Sequence, residues 1–208
     1  MKLSKSSLAV ILSRLHSFDY PKVSLEQYPT DSEVASEVIW QAYMAGDIKR
    51  KVIVDLGCGT GILGIGALVL GASRVFFVEK DAEAIKTAKL NLNSLKSEMN
   101  ISCSAKFLCR DVNDVKLRSD VVIENPPFGT KRKHADRLFL KKAISIAPVI
   151  YSLHKAESKR FIEQFSKDNS YEITYYSEFN LPLKQVFSYH KRRIYRIKVG
   201  FWRLERKR

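Results

Sequence analysis

The sequence predicts an α/β protein: a mostly parallel sheet of seven strands, helices on both faces, and an antiparallel hairpin at one edge. Short β-branched runs alternate with segments of helical spacing through the middle of the chain, the order that produces a parallel sheet with crossover helices. A glycine-rich turn, residues 57–61, joins the first of those runs to a helix. Near the C-terminus the period changes to two, the pattern of a strand buried on one face.

Each element has its own signal. Leu8, Ile11, Leu12 and Leu15 fall at i, i+3, i+4 and i+7 and predict a helix over 5–16. Residues 20–30 hold two prolines and no period, so they read as a loop; a second helix follows over 32–45, capped by Asp31 or Ser32. The first strand is 52–56, followed by a helix over 62–70 and a strand over 74–79. Asp81 is placed to cap a helix over 82–95, whose Ile85, Ala88, Leu92 and Leu95 share one face. Strands follow over 105–109 and 120–124. Phe139, Ala143 and Ile146 mark a helix, 149–153 a strand, and Phe161, Ile162 and Phe165 a further helix. Finally Tyr195, Ile197, Val199 and Phe201 alternate with Arg196, Lys198, Gly200 and Trp202, a strand expected to pair with one over 171–179.

A length of 208 residues without repeat or linker fits a single domain, 1–208, with an N-terminal helical segment (1–47) ahead of the core (48–208). The 45% hydrophobic content, with 9 Gly and 6 Pro, excludes extended disorder and collagen-like repeats. The apolar run from Leu8 to Leu12 is too short for a signal peptide, and no run is long enough to span a membrane. Cys58, Cys103 and Cys109 have no CxxC spacing, and His16, His134, His154 and His190 have no metal-ligand spacing. A soluble, cytoplasmic protein without a metal is expected. Its excess of 36 basic over 22 acidic residues, +14, suits a polyanionic partner.

Asp55-Leu56-Gly57-Cys58-Gly59-Thr60-Gly61 lies where a strand ends and a helix begins, the position at which open α/β sheets bind ligands. Glu79 ends the next strand, placed to accept from two ribose hydroxyls, so the ligand reads as a nucleoside. Gly59, Gly61 and Gly64 also match the GxGxxG of dinucleotide sites. Asp55 favours S-adenosylmethionine over NAD, because an acid there can hold a cationic methionine group but would oppose a pyrophosphate. Cys58 reads as a small filler in the turn. After the third strand, Asp111 can accept from an adenine amino group or simply cap a turn.

Asn125-Pro126-Pro127-Phe128 follows directly on the fourth strand. Two prolines stiffen the chain and remove two donors, leaving carbonyls free to accept. If the Asn125 side-chain oxygen and the Pro126 carbonyl accept the hydrogens of an NH2 group, its nitrogen can rehybridise and direct its lone pair at a methyl donor, with no strong base. Phe128 can stack on a planar substrate.

On these residues the chain resembles the class I S-adenosylmethionine-dependent methyltransferases of Rossmann-like fold. Within them it is similar to the methyltransferase-like protein five family of ribosomal RNA adenine-N6 methyltransferases and its archaeal relatives. Leu25-Glu26-Gln27-Tyr28-Pro29-Thr30, 55–61, Asn125-Pro126-Pro127-Phe128-Gly129-Thr130-Lys131 and Tyr151-Ser152-Leu153-His154-Lys155 carry the resemblance. It implies that Gln27, Tyr28 and Thr30 close over the methionine end of the cofactor, that Gly57, Thr60 and Ile62 line its turn, that Glu79 binds ribose and that Asp111 meets adenine. Glu79 stands where Asp is usual, and Thr60 where Cys can occur. The implied function is N6-methylation of adenine in structured, small-subunit ribosomal RNA. An N5-glutamine methyltransferase of a release factor uses the same amide grip, and a non-catalytic basic RNA-binding subunit is the alternative outside enzymes; an NAD-dependent oxidoreductase ranks below both.

Lys131, Arg132, Lys133 and Arg137 flank the Asn-Pro-Pro-Phe segment and are expected to meet RNA, as are Lys191, Arg192 and Arg193. A terminal cluster, Arg203, Arg206, Lys207 and Arg208, reads equally as solvated surface. In the strand order usual for this superfamily 105–109 is an edge, and an uncovered edge is a liability. The resemblance implies a cover: a small zinc-binding methyltransferase-activator protein, forming a heterodimer by adding a strand beside Phe107 and Leu108.

Overall fold

The computed structural model describes residues 3–99, 104–128, 135–184 and 194–207. Helix α1 (Lys5–Ser13) opens with a capping box in which Ser4 and Ser7 bond reciprocally. It ends earlier than its apolar spacing suggests, because Arg14 and Leu15 close the last turn with bonds to Ile11 and Leu12; Leu15 still packs on the core. Asp31 caps α2 (Ser32–Met44) through the Glu33 amide. Strand β1 (Val52–Leu56), α3 (Ile62–Val69), β2 (Arg74–Glu79), α4 (Ala82–Met99), β3 (Ser104–Cys109) and β4 (Val121–Glu124) then alternate as predicted, α4 running one turn longer. They are followed by α5 (Ala135–Ile146), β5 (Val149–Lys155), α6 (Lys159–Asp168), β6 (Tyr171–Lys184) and β7 (Ile194–Arg206).

The seven strands are ordered β3-β2-β1-β4-β5-β7-β6, parallel from β3 to β5, with β7 antiparallel between β5 and β6. The terminal hairpin is longer than its period-two stretch, since the pairing runs from Tyr171↔Arg206 to Lys184↔Ile194 with one irregularity between Ile173 and Tyr175. Alternation along the strands builds two cores. Ile53, Val121, Ile123, Tyr151 and Phe201 face α1 to α4, and Val54, Leu56, Val122, Ile150 and Trp202 face α5 and α6. Among the described residues no helix is long and apolar enough to cross a membrane.

Two surface readings need correction. Arg203 is drawn inward: its Nε donates to Asp47 Oδ2 at 2.8 Å and to Tyr151 Oη at 3.0 Å. Arg206 Nη2 donates to the Ile144 carbonyl and to Tyr171 Oη. Both guanidiniums are thus engaged in joining the hairpin to neighbouring elements. The β3 edge also differs in detail. Phe107 stacks on Phe77 at 4.6 Å, and Leu108 packs on the α5/α6 core, because side chains of an edge strand point to the faces of the sheet. What the edge itself presents is backbone.

Candidate active site

Consecutive strand ends and the turns after them form one cleft at the carboxyl edge of the sheet. The turn after β1 is tied down by Gly57 and Cys58, whose amides donate to the Val78 carbonyl at 2.8 and 2.9 Å, and by Gly59, whose amide donates to Glu79 Oε2 at 3.2 Å. Gly57 and Gly59 have φ of 73° and 52°, and a Cβ on either would meet the ring of Phe139 at 2.6 Å or of Phe18 at 2.8 Å. Backbone conformation and close approach both exclude side chains here. Asp55 Oδ2 accepts from the Gly64 amide at 2.7 Å, fastening β1 to α3. Burial pushes its carboxyl up to about 7 against that bond, with Glu79 adding to the rise. Burial likewise raises the Cys58 thiol well above its ordinary value, which suits a filler and not a nucleophile.

Glu79 is the hub of the opposite wall. Its Oε1 accepts from the amides of Lys80 and Asp81 at 2.8 and 3.0 Å, so both oxygens are aimed by backbone donors. Asp81, expected only to cap α4, also straps down the loop before α2. It accepts from Lys22 Nζ and Gln27 Nε2, both at 2.7 Å, while Gln27 Oε1 accepts from the Lys22 amide at 2.8 Å. Burial would raise the Asp81 carboxyl, but Lys22 and Gln27 hold it below the usual range. Gln27 lines the cleft, yet its polar atoms serve this strap.

The same loop reaches the Asn-Pro-Pro-Phe turn, where Asn125 Nδ2 donates to Thr30 Oγ1 at 2.9 Å. That bond orients the amide and leaves Oδ1 available to accept. The cleft encloses about 850 Å³ including its open mouth, and brings together Gln27, Tyr28, Thr30, Asp55, Gly57, Gly59, Thr60, Ile62, Glu79, Asp111, Asn125 and Pro127. Gly61, Pro126 and Phe128 do not line it. Gly61 caps α3, Pro126 is buried, and Phe128 packs half-buried on the α1–α4 core. Asp111 lines the cleft and accepts from the Asn113 amide, capping a short 3-10 turn.

Sequence reasoning missed Phe18 and Lys22, which sit in a stretch without period, and used Phe139 only as a helix marker. Of the candidate RNA contacts, Arg137 is exposed on the first turn of α5 with its guanidinium 5.9 Å from the Phe161 ring. Lys131, Arg132, Lys133, Lys191, Arg192 and Arg193 lie outside the described residues. Among the described residues no cluster of three metal-ligating side chains occurs.

A nucleoside-sized ligand with a cationic tail fits this donor set. The backbone of the glycine turn lines the cleft, Glu79 presents an aimed carboxylate, and Asp55 supplies a second acid. The family model of the methyltransferase small domain matches residues 31–148. The chain is 34% identical to the rRNA N(6)-adenosine-methyltransferase METTL5 of Danio rerio, over 98% of each chain. It is 35% identical to an uncharacterised protein of Methanocaldococcus jannaschii, over 98% of this chain and 95% of that one. A crystal structure from Pyrococcus horikoshii, of a protein described as a candidate RNA methyltransferase, superposes with a TM-score of 0.90 at 44% identity, covering 99% of both chains. With the cleft geometry and these full-length likenesses together, the chain belongs to the METTL5 family of class I S-adenosylmethionine-dependent methyltransferases.

Proposed function

We propose that the chain methylates N6 of an adenine in structured RNA, specifically small-subunit ribosomal RNA, as one methyltransferase domain with residues 1–47 closing over the core, and that it works in the cytoplasm. The observation that carries this reading is the Asn125–Thr30 bond. With Nδ2 committed to Thr30, Asn125 Oδ1 is turned to accept from an NH2 group, and the Pro126 carbonyl can take the second hydrogen. S-adenosylmethionine, when bound, supplies an electrophilic methyl group. Glu79 would hold its ribose, Asp111 its adenine and Asp55 its cationic end, beside the turn lined by Gly57, Gly59, Thr60 and Ile62 and under Gln27, Tyr28 and Thr30. Pro127 and Phe128 keep the catalytic turn rigid. The zebrafish relative's name, an rRNA N(6)-adenosine-methyltransferase, supports adenine as the target. Nucleoside mass spectrometry of ribosomal RNA from a deletion strain tests the reading: one N6-methyladenosine should vanish from the small subunit, and an unchanged profile would refute it.

Asp55 gives cofactor binding a pH dependence. A carboxyl with a value of about 7 is roughly half ionised in the free protein at neutral pH, and a cation bound beside it favours the ionised form. Binding at pH 7 should therefore release up to about half a proton, and affinity should fall as pH drops below 7. Calorimetry in buffers of different ionisation heat measures that release; no buffer dependence would remove Asp55 from contact with the cationic end.

RNA should meet the basic residues flanking the catalytic turn. Replacing Lys131, Arg132 and Lys133 together should weaken RNA binding and flatten its salt dependence by roughly 0.7 to 0.9 in log–log slope per lost phosphate contact. An unchanged slope would leave them as solvated charges. Arg137, Lys191, Arg192 and Arg193 are assigned to the same role.

A small zinc-binding activator protein is proposed to add a strand to β3, which among the described residues pairs on one side, with β2. Co-elution of the two on size-exclusion chromatography is the test. Phe107→Asp would be a poor probe, because it destroys the stack on Phe77 within the chain itself.

A further inference from the structure

Behind the catalytic turn, on the opposite face of the sheet from Asp55, lies a row of polar side chains that the chemistry above does not use. Glu124 ends β4 next to Asn125 and is fully buried. Its register partner on β5 is Ser152, whose Oγ lies 2.8 Å from Glu124 Oε1. Two residues on, with the same facing, His154 Nε2 lies 2.7 Å from that Oγ. His154 is 1% exposed, set edge-on against Trp202, and its Nδ1 faces Asp136 Oδ2 on the first turn of α5 at 3.8 Å. Glu124 Oε2 and His154 Nδ1 are buried without a hydrogen-bond partner among the described residues.

Counting protons decides which way such a row can point. If Glu124 is ionised, Ser152 donates to it, His154 Nε2–H donates to Ser152, and Nδ1 turns a bare lone pair toward the Asp136 carboxylate. If Glu124 is a neutral acid, its proton can be donated to Ser152, the Ser152 hydroxyl to Nε2, and Nδ1–H points at Asp136. With the imidazole neutral, the form its burial favours, only the second arrangement ends on an attraction. Burial pushes Glu124 up to about 8, with Asp136 adding to the rise and the Ser152 bond opposing it. Burial lowers His154, opposed by Asp136. Among the described residues Asp136, on α5, is the charged group that bears on both, and the facing groups from β1 and β7 are Leu56 and Trp202.

We propose that Glu124, Ser152 and His154 form a positioning network, working with Glu124 as a neutral acid, that ties the start of α5 to the ends of β4 and β5 and so fixes the Asn125 turn between them. The role rests on the reading of Asn125 as the amine-binding side chain. The network would not touch the cofactor, whose proposed ligands lie in the cleft on the other side of β4.

The test compares wild type with Glu124→Gln and Ser152→Ala. An amide keeps the donor toward Ser152 but cannot ionise. A carboxyl whose folded-state value is raised stabilises most below its ordinary range, and that contribution is lost as pH rises to about 8. Wild type should therefore lose melting temperature relative to Glu124→Gln across this window, and the gap should level off above it. The kcat of wild type should fall several-fold between neutral pH and roughly pH 9 while that of Glu124→Gln changes less than about twofold. Ser152→Ala should lower kcat between about tenfold and 10²-fold with the dissociation constant for S-adenosylmethionine unchanged. Parallel stability curves for wild type and Glu124→Gln, or a folded Ser152→Ala with normal kcat, would overturn the network. Should Ser152→Ala fail to fold, the stability curves decide. They need no substrate, so their failure is separate from any failure of the adenine assignment.

Discussion

Asn125→Ala is expected to lose at most a few-fold in S-adenosylmethionine affinity, since Asp81 still straps the loop of Thr30, and to transfer methyl groups at least 10²-fold more slowly. The size follows from what the amide does. An exocyclic amine conjugated to an aromatic ring has a delocalised lone pair, and freeing it requires acceptors fixed where its hydrogens will lie. Asn125 Oδ1 is such an acceptor only because Nδ2 is held by Thr30, so the side chain enters the reaction without having to be ordered first. Removing one preorganised partner of a developing charge costs about 3 to 4 kcal/mol in comparable sites. Thr30→Val should show a smaller loss in the same direction, since it frees the amide without deleting it. Single-turnover kinetics with saturating cofactor separates the steps; near-normal turnover by Asn125→Ala would remove it from the chemistry.

Much of this architecture could be read from residue order, and the reasons are local. β-Branched runs such as 52–56 and 74–79 alternate with helical spacing, and their bounds agree with the structure because residues that mark an end sit there, Gly57 after the first and Arg74 and Glu79 at the limits of the second. The glycine turn was legible because its requirement is conformational. The loop before α2 was not. Residues 20–30 have no period, and their order comes from Asp81, 54 residues away from Gln27 in sequence, and from Asn125, 95 residues from Thr30. No local pattern announces a bond across that distance. Here the resemblance supplied what the residues alone did not.

The Glu124 row was half visible. Ser152 lies in the strand read over 149–153 and a polar residue closes the apolar run 121–124, but His154 joins that face because β5 runs on to Lys155. What composition could not supply was the register, Glu124 opposite Ser152, which parallel pairing alone determines. Arg203 shows the opposite limit. In sequence it belongs to a terminal basic cluster, yet pairing with β5 places it over Tyr151 and beside Asp47, and it serves the fold.

Glu79→Ala is expected to weaken S-adenosylmethionine binding by at least about 10²-fold, through the lost ribose contacts and through the turn that the same carboxylate holds. Each charge-assisted hydrogen bond to the ribose contributes about 1.5 to 3 kcal/mol at most, and partial replacement by water reduces that. The carboxylate, however, also receives the amides of Gly59, Lys80 and Asp81. Deleting it strips the glycine turn of a contact to β2 and loosens the residue to which Lys22 and Gln27 are strapped, so the floor and the cover of the cleft relax together. Glu79→Gln separates the two contributions. Its amide oxygen can keep one set of backbone donors while its NH2 faces the other, so it should lose affinity without the faster proteolysis of the 18–30 loop expected for Glu79→Ala. Isothermal titration with limited proteolysis measures both. Equal affinity of Glu79→Ala and wild type would move the ribose to another part of the cleft.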